Sequence, residues 1–246
     1  MRRLYLLLLL LAVFLRIYVV YSPGVLLTVP ILKLPLLDIL LLLGLIVIVR
    51  KKTNVHVVLA LISNFIAGNV INRGTTMDEK TVYFFMGMAF YFSLHVNLIL
   101  YFIRINPGWK EAIKMHPFRI LLPGICWLAA YFSLVFHLPT IGIIPVFIYS
   151  GIYVLLIAMA WNLDKILIDK SNYMQLLAGT VFFMLSDIIL GFVLFTQFVQ
   201  HTTITSQIIN MRSAIVTWDI GVFLVFYSLV YIQKEMGIKG QANSSL

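Results

Sequence analysis

Charge is scarce in this chain. Only 11% of its 246 residues are Asp, Glu, Lys or Arg, while 62% are hydrophobic, against about 25% and about 45 to 50% in an ordinary soluble domain. A polar shell large enough to cover a water-exposed globule is therefore excluded, and the composition is that of an integral membrane protein. Cysteine is scarcer still. Cys126 stands alone, which excludes an intramolecular disulfide and any multi-cysteine metal site and leaves it as a small hydrophobe within an apolar run. Heptads, a Gly-rich phosphate loop, GxSxG and HExxH are all missing, so the common soluble-enzyme signatures are absent. No His, Asp or Glu pair falls at metal-ligand spacing within a helix core, so no metal and no other cofactor is expected. The formal charge of +9 comes from Lys and Arg in short loops, where they set orientation and meet anionic lipid headgroups rather than nucleic acid.

What is abundant is the apolar run. At roughly 20 residues per crossing, the pattern predicts an all-α polytopic bundle of eight helices at 4–21, 36–49, 55–71, 81–103, 118–136, 140–161, 173–195 and 212–232. A single transmembrane domain over 1–235 with a polar tail at 236–246 is the economical division. The start, Met1-Arg2-Arg3 before a leucine-rich run, has the charge of a signal peptide without its small-x-small end, and reads as a retained first helix. Arg16 sits near the far end of that helix, placed to snorkel to the interface or to meet an acid on another span. Pro23, Gly24, Pro30 and Pro35 break the stretch that follows into an irregular or re-entrant approach. The residues from Arg104 to Pro117 read as an interfacial loop or amphipathic half-turn, and those from Thr196 to Met211 as an uncharged, Thr- and Gln-rich loop that is disordered or caps the bundle.

Lys and Arg then fix the topology. With both termini cytoplasmic, the inner segments carry Arg2, Arg3, Arg50, Lys51, Lys52, Arg104, Lys110, Lys114, Arg119, Lys165, Lys170, Lys234 and Lys239, while the outer ones carry Lys33, Arg73, Lys80 and Arg212. That asymmetry follows the positive-inside rule and favours an even number of spans. A bacterial source would place such a protein in the cytoplasmic membrane.

One residue conflicts with its surroundings. Asp187 lies within the apolar segment 178–192, AGTVFFMLSDIILGF, where an acid costs at least about 2.5 kcal/mol even on lenient insertion scales. Gly179, Phe183, Asp187 and Gly191 recur at four-residue spacing, so they share a helix face, with Ser186 beside it and glycines that let neighbouring helices approach. The face points into protein. The acid is then either a hydrogen bonder that glues two helices or a buried group kept protonated for chemistry, because burial disfavours the charged form. His95, deep in the fourth predicted helix on the side of Met88, Tyr91 and Phe102, leaves the same choice between a helix-bridging hydrogen bonder and a proton carrier. Asp219, Phe223, Tyr227 and Tyr231 step along one face of the eighth, so a carboxylate and two phenols either converge on the core or leave Asp219 to pair with Arg212 or Arg16 near the outer interface. Ser63, Asn64, Gly68, Asn69 and Asn72 make the third predicted helix unusually polar, and amides at that frequency line something.

These blocks resemble the YhhN-like membrane proteins, a family that includes the eukaryotic lysoplasmalogenases. The segment from Gly179 to Gly191, GTVFFMLSDIILG, is similar to the family's glycine, aromatic-rich turn and Ser-Asp block. Gly68-Asn69, Phe84-Phe85-Met86-Gly87-Met88 and Ser93-Leu94-His95 stand where the family has Gly-Asp, Phe-x-x-Gly-aliphatic and Ala/Ser-x-His elements. Weaker matches are Pro30 with Lys33 to Leu37, and Pro145-Val146 with Tyr149. The chain departs from the family at Asn69, where an acid is expected, at Val29 in place of a lysine, and at Tyr231 in place of a glutamine.

The resemblance implies hydrolysis of the vinyl ether bond of a lysophospholipid, with release of a fatty aldehyde. That chemistry needs an acid still protonated near neutral pH and a group that orients water and stabilises positive charge. Asp187 is the candidate acid, with Asn69 and His95 as its catalytic companions and Ser186, Tyr91, Asp219, Tyr227 and Tyr231 as substrate-binding candidates. Asn69 can orient water but cannot carry charge, so Asp219 or Asp38 is the candidate for the missing second acid. Two other classes stay open: a family member that binds lipid without turnover, and a small-molecule or lipid transporter, for which the sequence shows no repeat symmetry. Oligomeric state is not legible.

Overall fold

A computed structural model describes residues 2–21, 36–49, 54–70, 77–136, 140–164, 166–167, 169–195 and 204–242. In chain order these form α1 (Arg2–Tyr21), α2 (Leu36–Gly44, continued by a π turn Leu45–Val49), α3 (Val55–Val70), α4 (Met77–Ile105), α5 (Trp109–Met115), α6 (Phe118–Val135), α7 (Thr140–Trp161), α8 (Lys170–Phe195) and α9 (Ile204–Ala242). No strand occurs among the described residues, as lipid demands, because a helix satisfies its own backbone and an open sheet edge does not. The fold is an all-α multi-pass membrane bundle. Among the described residues, five helices contain a stretch long and apolar enough to cross a bilayer, Val82–Ile105, Phe118–Val135, Ile143–Trp161, Lys170–Phe192 and Arg212–Lys234, and three shorter apolar helices, Arg3–Leu15, Leu37–Val47 and Val55–Val70, accompany them.

Where the sequence predicts a capping loop at 196–211, the chain from Ile204 is already the first part of α9. Ile204 to Met211 contain neither Pro nor Gly, so nothing interrupts the helix of the following apolar run. That same helix runs past the predicted end at Ile232 to Ala242. The residues between Arg104 and Pro117, where the sequence predicts a loop or half-turn, contain α5, a two-turn helix with no buried residue. The Pro-rich stretch before Leu36, with most of the Pro30 to Leu37 match, the loop 71–76 and the turn 137–139 lie outside the described residues.

Burial orders the helices. Of the apolar window of α9, 67% is buried, against 22% for α6, so α9 is the central stave and α6 an outer one. α9 packs along α8, α3 along α4, and α7 between α4, α6 and α8, while α1 and α2 lie against α9. Phe183, Trp218, Val222, Phe226, Tyr153, Leu94 and Leu98 fill the common core. Outward-facing Leu7, Leu11 and Phe14 on α1, Leu121, Ile125 and Phe132 on α6, and Ile144 and Ile148 on α7 stay exposed, as side chains facing lipid do. α8 and α9 meet through two glycines. A Cβ on Gly179 would lie 2.7 Å from Val225 Cγ2 and 2.9 Å from the Val225 backbone nitrogen, and one on Gly221 would lie 2.8 Å from Phe183. Only hydrogen fits there, which lets α8 and α9 approach backbone to backbone.

A polar clasp ties one end of the bundle. The Arg119 guanidinium, at the start of α6, donates two bonds to the Asp164 carboxylate at 2.9 and 2.7 Å, one to the Trp161 carbonyl at 3.1 Å and one to Asn162 Oδ1 at 3.2 Å. Asn106, just beyond α4, donates to the Asn162 carbonyl at 3.1 Å, and the Tyr173 hydroxyl of α8 to the Trp161 carbonyl at 3.2 Å. The last turn of α4, the first of α6, the last of α7 and the first of α8 are thereby brought together, so these helices run alternately up and down.

Candidate functional site

Asp187 does not end in packed side chains. It opens on a cleft between α4, α6, α7 and α8. Phe84 and Met88 from α4, Tyr131 and Leu134 from α6, Val146 from α7, and Met184, Ile188 and Leu190 from α8 make its apolar wall. Its polar groups are Asp187, Tyr91, Tyr149, Tyr153 and Ser150 together with the Trp127 indole. Two of these satisfy each other, because Trp127 Nε1 donates to Ser150 Oγ at 2.9 Å and Ser150 passes its own proton to the Val146 carbonyl at 2.6 Å. What remains is one acid among phenols.

The Tyr153 hydroxyl donates to Asp187 Oδ2 at 2.6 Å, and the Tyr149 hydroxyl lies 3.4 Å from that of Tyr153. Tyr149 and Tyr153 are one helical turn apart on α7 and so present their phenols to the same spot on α8. The half-buried carboxyl group therefore has the hydrogen-bonding partner that its place in an apolar span requires. Behind Tyr153 stands His95. Its ring is fully buried, 4.5 Å from the Tyr153 ring, 5.7 Å from Phe183 and 5.9 Å from Trp218, measured between centroids. Neither ring nitrogen meets a hydrogen-bond partner among the described residues. Trp218 continues the network away from the cleft: its Nε1 donates to Asn64 Oδ1 at 3.0 Å, and Asn64 Nδ2 donates to Asp38 Oδ1 at 2.7 Å.

Of the residues proposed from sequence, the structure brings Asp187 and Tyr91 together at the cleft and sets His95 behind its wall. Ser186 turns the other way, its hydroxyl donating to the Ala214 carbonyl of α9 at 2.8 Å. Asn69 is exposed on α3, its amide donating to the Phe65 carbonyl one turn back at 2.7 Å, and it does not line the cleft. Tyr227 and Tyr231 form an aromatic column towards α1, with centroids 5.0 Å apart and Tyr5 stacked 6.4 Å from Tyr227. Asp219 is buried beside Trp218 and, like Asp38, is not among the lining residues. Ser63 and Asn64 of α3 stitch helices instead of lining the cleft: Ser63 Oγ lies 3.1 Å from Ser93 Oγ of α4, and Asn64 bridges α2 to α9.

The four-residue row on α8 splits as well. Each step of four residues turns about 40° beyond a full helical turn, so Gly179 and Phe183 meet α9 while Asp187 and Gly191 have rotated to the cleft, where a Cβ on Gly191 would lie 3.0 Å from Leu134. Sequence reasoning missed Tyr153. The available signal was the pair Tyr149 and Tyr153 on one face of an apolar helix, which in a chain with 12 Tyr and 18 Phe reads as packing. Among the described residues no three His, Cys, Asp or Glu converge as metal ligands.

Comparison with known proteins bears on this geometry. No curated protein and no solved structure matches the chain. The sequence model of the YhhN family does, over residues 29–213. That span holds every residue lining the cleft, together with His95 and Asn69, and stops short of Asp219, Tyr227 and Tyr231. A match over well more than half its length establishes that this chain belongs to the YhhN family.

Proposed function

We propose that this protein is a lysoplasmalogenase-like membrane hydrolase that cleaves the vinyl ether bond of a single-chain phospholipid, with Asp187 as the proton donor. The observation that carries the reading is a carboxyl group held by a phenol inside an apolar cleft, 2.6 Å from Tyr153 Oη. Such a site suits a lipid chain and supplies an acid without bulk water.

With Oδ2 accepting from Tyr153, the acidic proton belongs to Oδ1. Transfer of that proton to the alkene carbon farther from oxygen leaves an oxocarbenium ion and an Asp187 carboxylate. The Tyr153 bond then becomes charge-assisted and stronger than in the ground state, which is stabilisation that accelerates the step. Water adds to the cation and returns a proton to Asp187. The hemiacetal then collapses to a fatty aldehyde and a glycerophospholipid alcohol. Tyr149, beside Tyr153, orients that water, and His95 and the Asp38–Asn64–Trp218 chain hold the wall behind. In the same reading the chain crosses the membrane eight times with both termini cytoplasmic, as its Lys and Arg favour.

The test is aldehyde release by the full-length protein in liposomes, followed by mass spectrometry, from an alkenyl lysolipid and from its saturated alkyl ether. Cleavage of the first only, with deuterium from heavy water at the carbon next to the aldehyde, is the expected result; no aldehyde from either sinks the proposal. A second reading, lipid binding without turnover, draws support from Asn69 at the position of a family acid, and the same assay separates it.

A further inference from the structure

Four helices line the cleft, three of them from the same end and α7 from its middle. α4 contributes Phe84 to Tyr91 from its first half, α6 Trp127 to Leu134 from its second, α7 Val146 to Tyr153 around its midpoint, and α8 Met184 to Gly191 from its second half. Because these helices alternate in direction, those halves stack together. The clasp of Arg119 with Asp164 and of Asn106 with Asn162 closes the opposite end. Exposed Arg104, Lys110, Lys114 and Lys170 gather at that clasped end, while none of the described residues lining the cleft is Lys or Arg.

Depth adds a second constraint. Asp187 is eight residues before the end of α8 at Phe195 and seventeen after its start at Lys170, hence about 12 Å along the helix from one end and about 25 Å from the other at 1.5 Å per residue. In an alkenyl lysolipid the reactive bond joins the chain to glycerol, so it lies just beneath the headgroup and not at the bilayer centre. Only a lipid whose headgroup rests at the near surface brings that bond to Asp187 without burying its phosphate. A phosphate entering from the clasped end would have to cross most of the hydrocarbon layer, which an ion does only at a cost of several kcal/mol or more.

We infer that the cleft receives its single-chain phospholipid sideways from one leaflet alone, the leaflet away from the belt of Arg104, Lys110, Lys114 and Lys170, which the positive-inside rule makes the non-cytoplasmic one. The inference rests on the lipid reading above and adds the side of the membrane from which substrate comes.

The experiment uses sealed vesicles holding the full chain in each of the two orientations, with orientation read from labelling of Lys110 and Lys114 by a membrane-impermeant amine reagent. A lysophosphatidylcholine analogue with a diazirine on the first carbons of its chain is added outside and photolysed before it can cross, and labelled peptides are mapped. Residues 127–134 and 184–191 label at least tenfold more when the Lys110 end faces the lumen. Ala130→Trp and Gly191→Ile, two substitutions that crowd the cleft from different helices, each remove that labelling in protein that still melts cooperatively. Equal labelling in both orientations, stronger labelling from the Lys110 side, or no labelling of these segments from either side overturns the inference. Aldehyde release is scored separately. One-sided labelling without aldehyde removes the hydrolase and keeps the leaflet, and aldehyde with two-sided labelling does the reverse.

Discussion

The Tyr153 hydroxyl stands 2.6 Å from Asp187 Oδ2, donating across the α7–α8 contact. A phenol bound to a half-buried acid has two consequences that can be measured apart, one on stability and one on chemistry. Tyr153→Phe keeps the ring against His95 and deletes only the donor. Tyr149 stays beside the carboxyl group, so the loss of this one hydrogen bond costs about 0.5 to 1.5 kcal/mol, read as a lower unfolding midpoint in detergent. If the bond tightens as Asp187 ionises, aldehyde release falls further, by about 10- to 100-fold, which is the span of about 1.4 to 2.8 kcal/mol in the barrier. An unchanged rate in the folded variant would remove Tyr153 from the mechanism.

His95 gives a different expectation. An imidazole enclosed by rings, with no hydrogen-bond partner among the described residues for either nitrogen, carries polar atoms that a hydrophobic isostere would not. Replacing such a group by an apolar one of similar shape is close to neutral or stabilising. His95→Phe is therefore expected to unfold at the same or a higher temperature, and to keep turnover within about tenfold because the ring still backs Tyr153. Loss of all turnover in the folded variant would show that the imidazole carries protons.

Much of the fold is visible in the sequence, because a run of apolar residues of spanning length has few structures open to it in lipid. Asp187 is visible for the same reason, as an acid deep within such a run. Its partner is not, because Tyr153 comes from another helix, 34 positions away, and nothing local marks a tyrosine as a donor. The bridge from Asp38 through Asn64 to Trp218 spans 26 and then 154 positions and is equally silent. The four-residue spacing from Gly179 to Gly191 predicts one face, but a helix of 3.6 residues per turn divides the row between α9 and the cleft. The start of α9 at Ile204 shows that polar side chains alone do not stop a helix.

Gly179 tests the close approach of α8 and α9. The nearest obstacles to a methyl group include the Val225 backbone nitrogen and the Gly221 carbonyl, at 2.9 and 3.0 Å, and backbone cannot step aside as a side-chain tip can. Gly179→Ala is expected to destabilise by about 1 to 3 kcal/mol, the usual cost of overpacking, seen as earlier thermal unfolding. A variant as stable as the parent would mean that the two helices are not held in contact there.

Asn69, where the resemblance to the family implies an acid, is exposed and bonded to its own helix. Asn69→Asp is expected to change aldehyde release by less than about threefold, the scale of a small surface effect of under about 1 kcal/mol. A gain of tenfold or more, measured by the same assay, would put this position back into the reacting group.

Asp187→Asn addresses the acid itself, because an amide keeps the shape and can still accept from Tyr153 but has no acidic proton to give. The deciding measurement is aldehyde release from an alkenyl lysolipid by this variant in liposomes, alongside its capture of the photoreactive analogue. Turnover reduced by at least about a thousandfold, equivalent to about 4 kcal/mol in the barrier, with the cleft still labelled, is what the account requires. Turnover within a few-fold of the parent would contradict it.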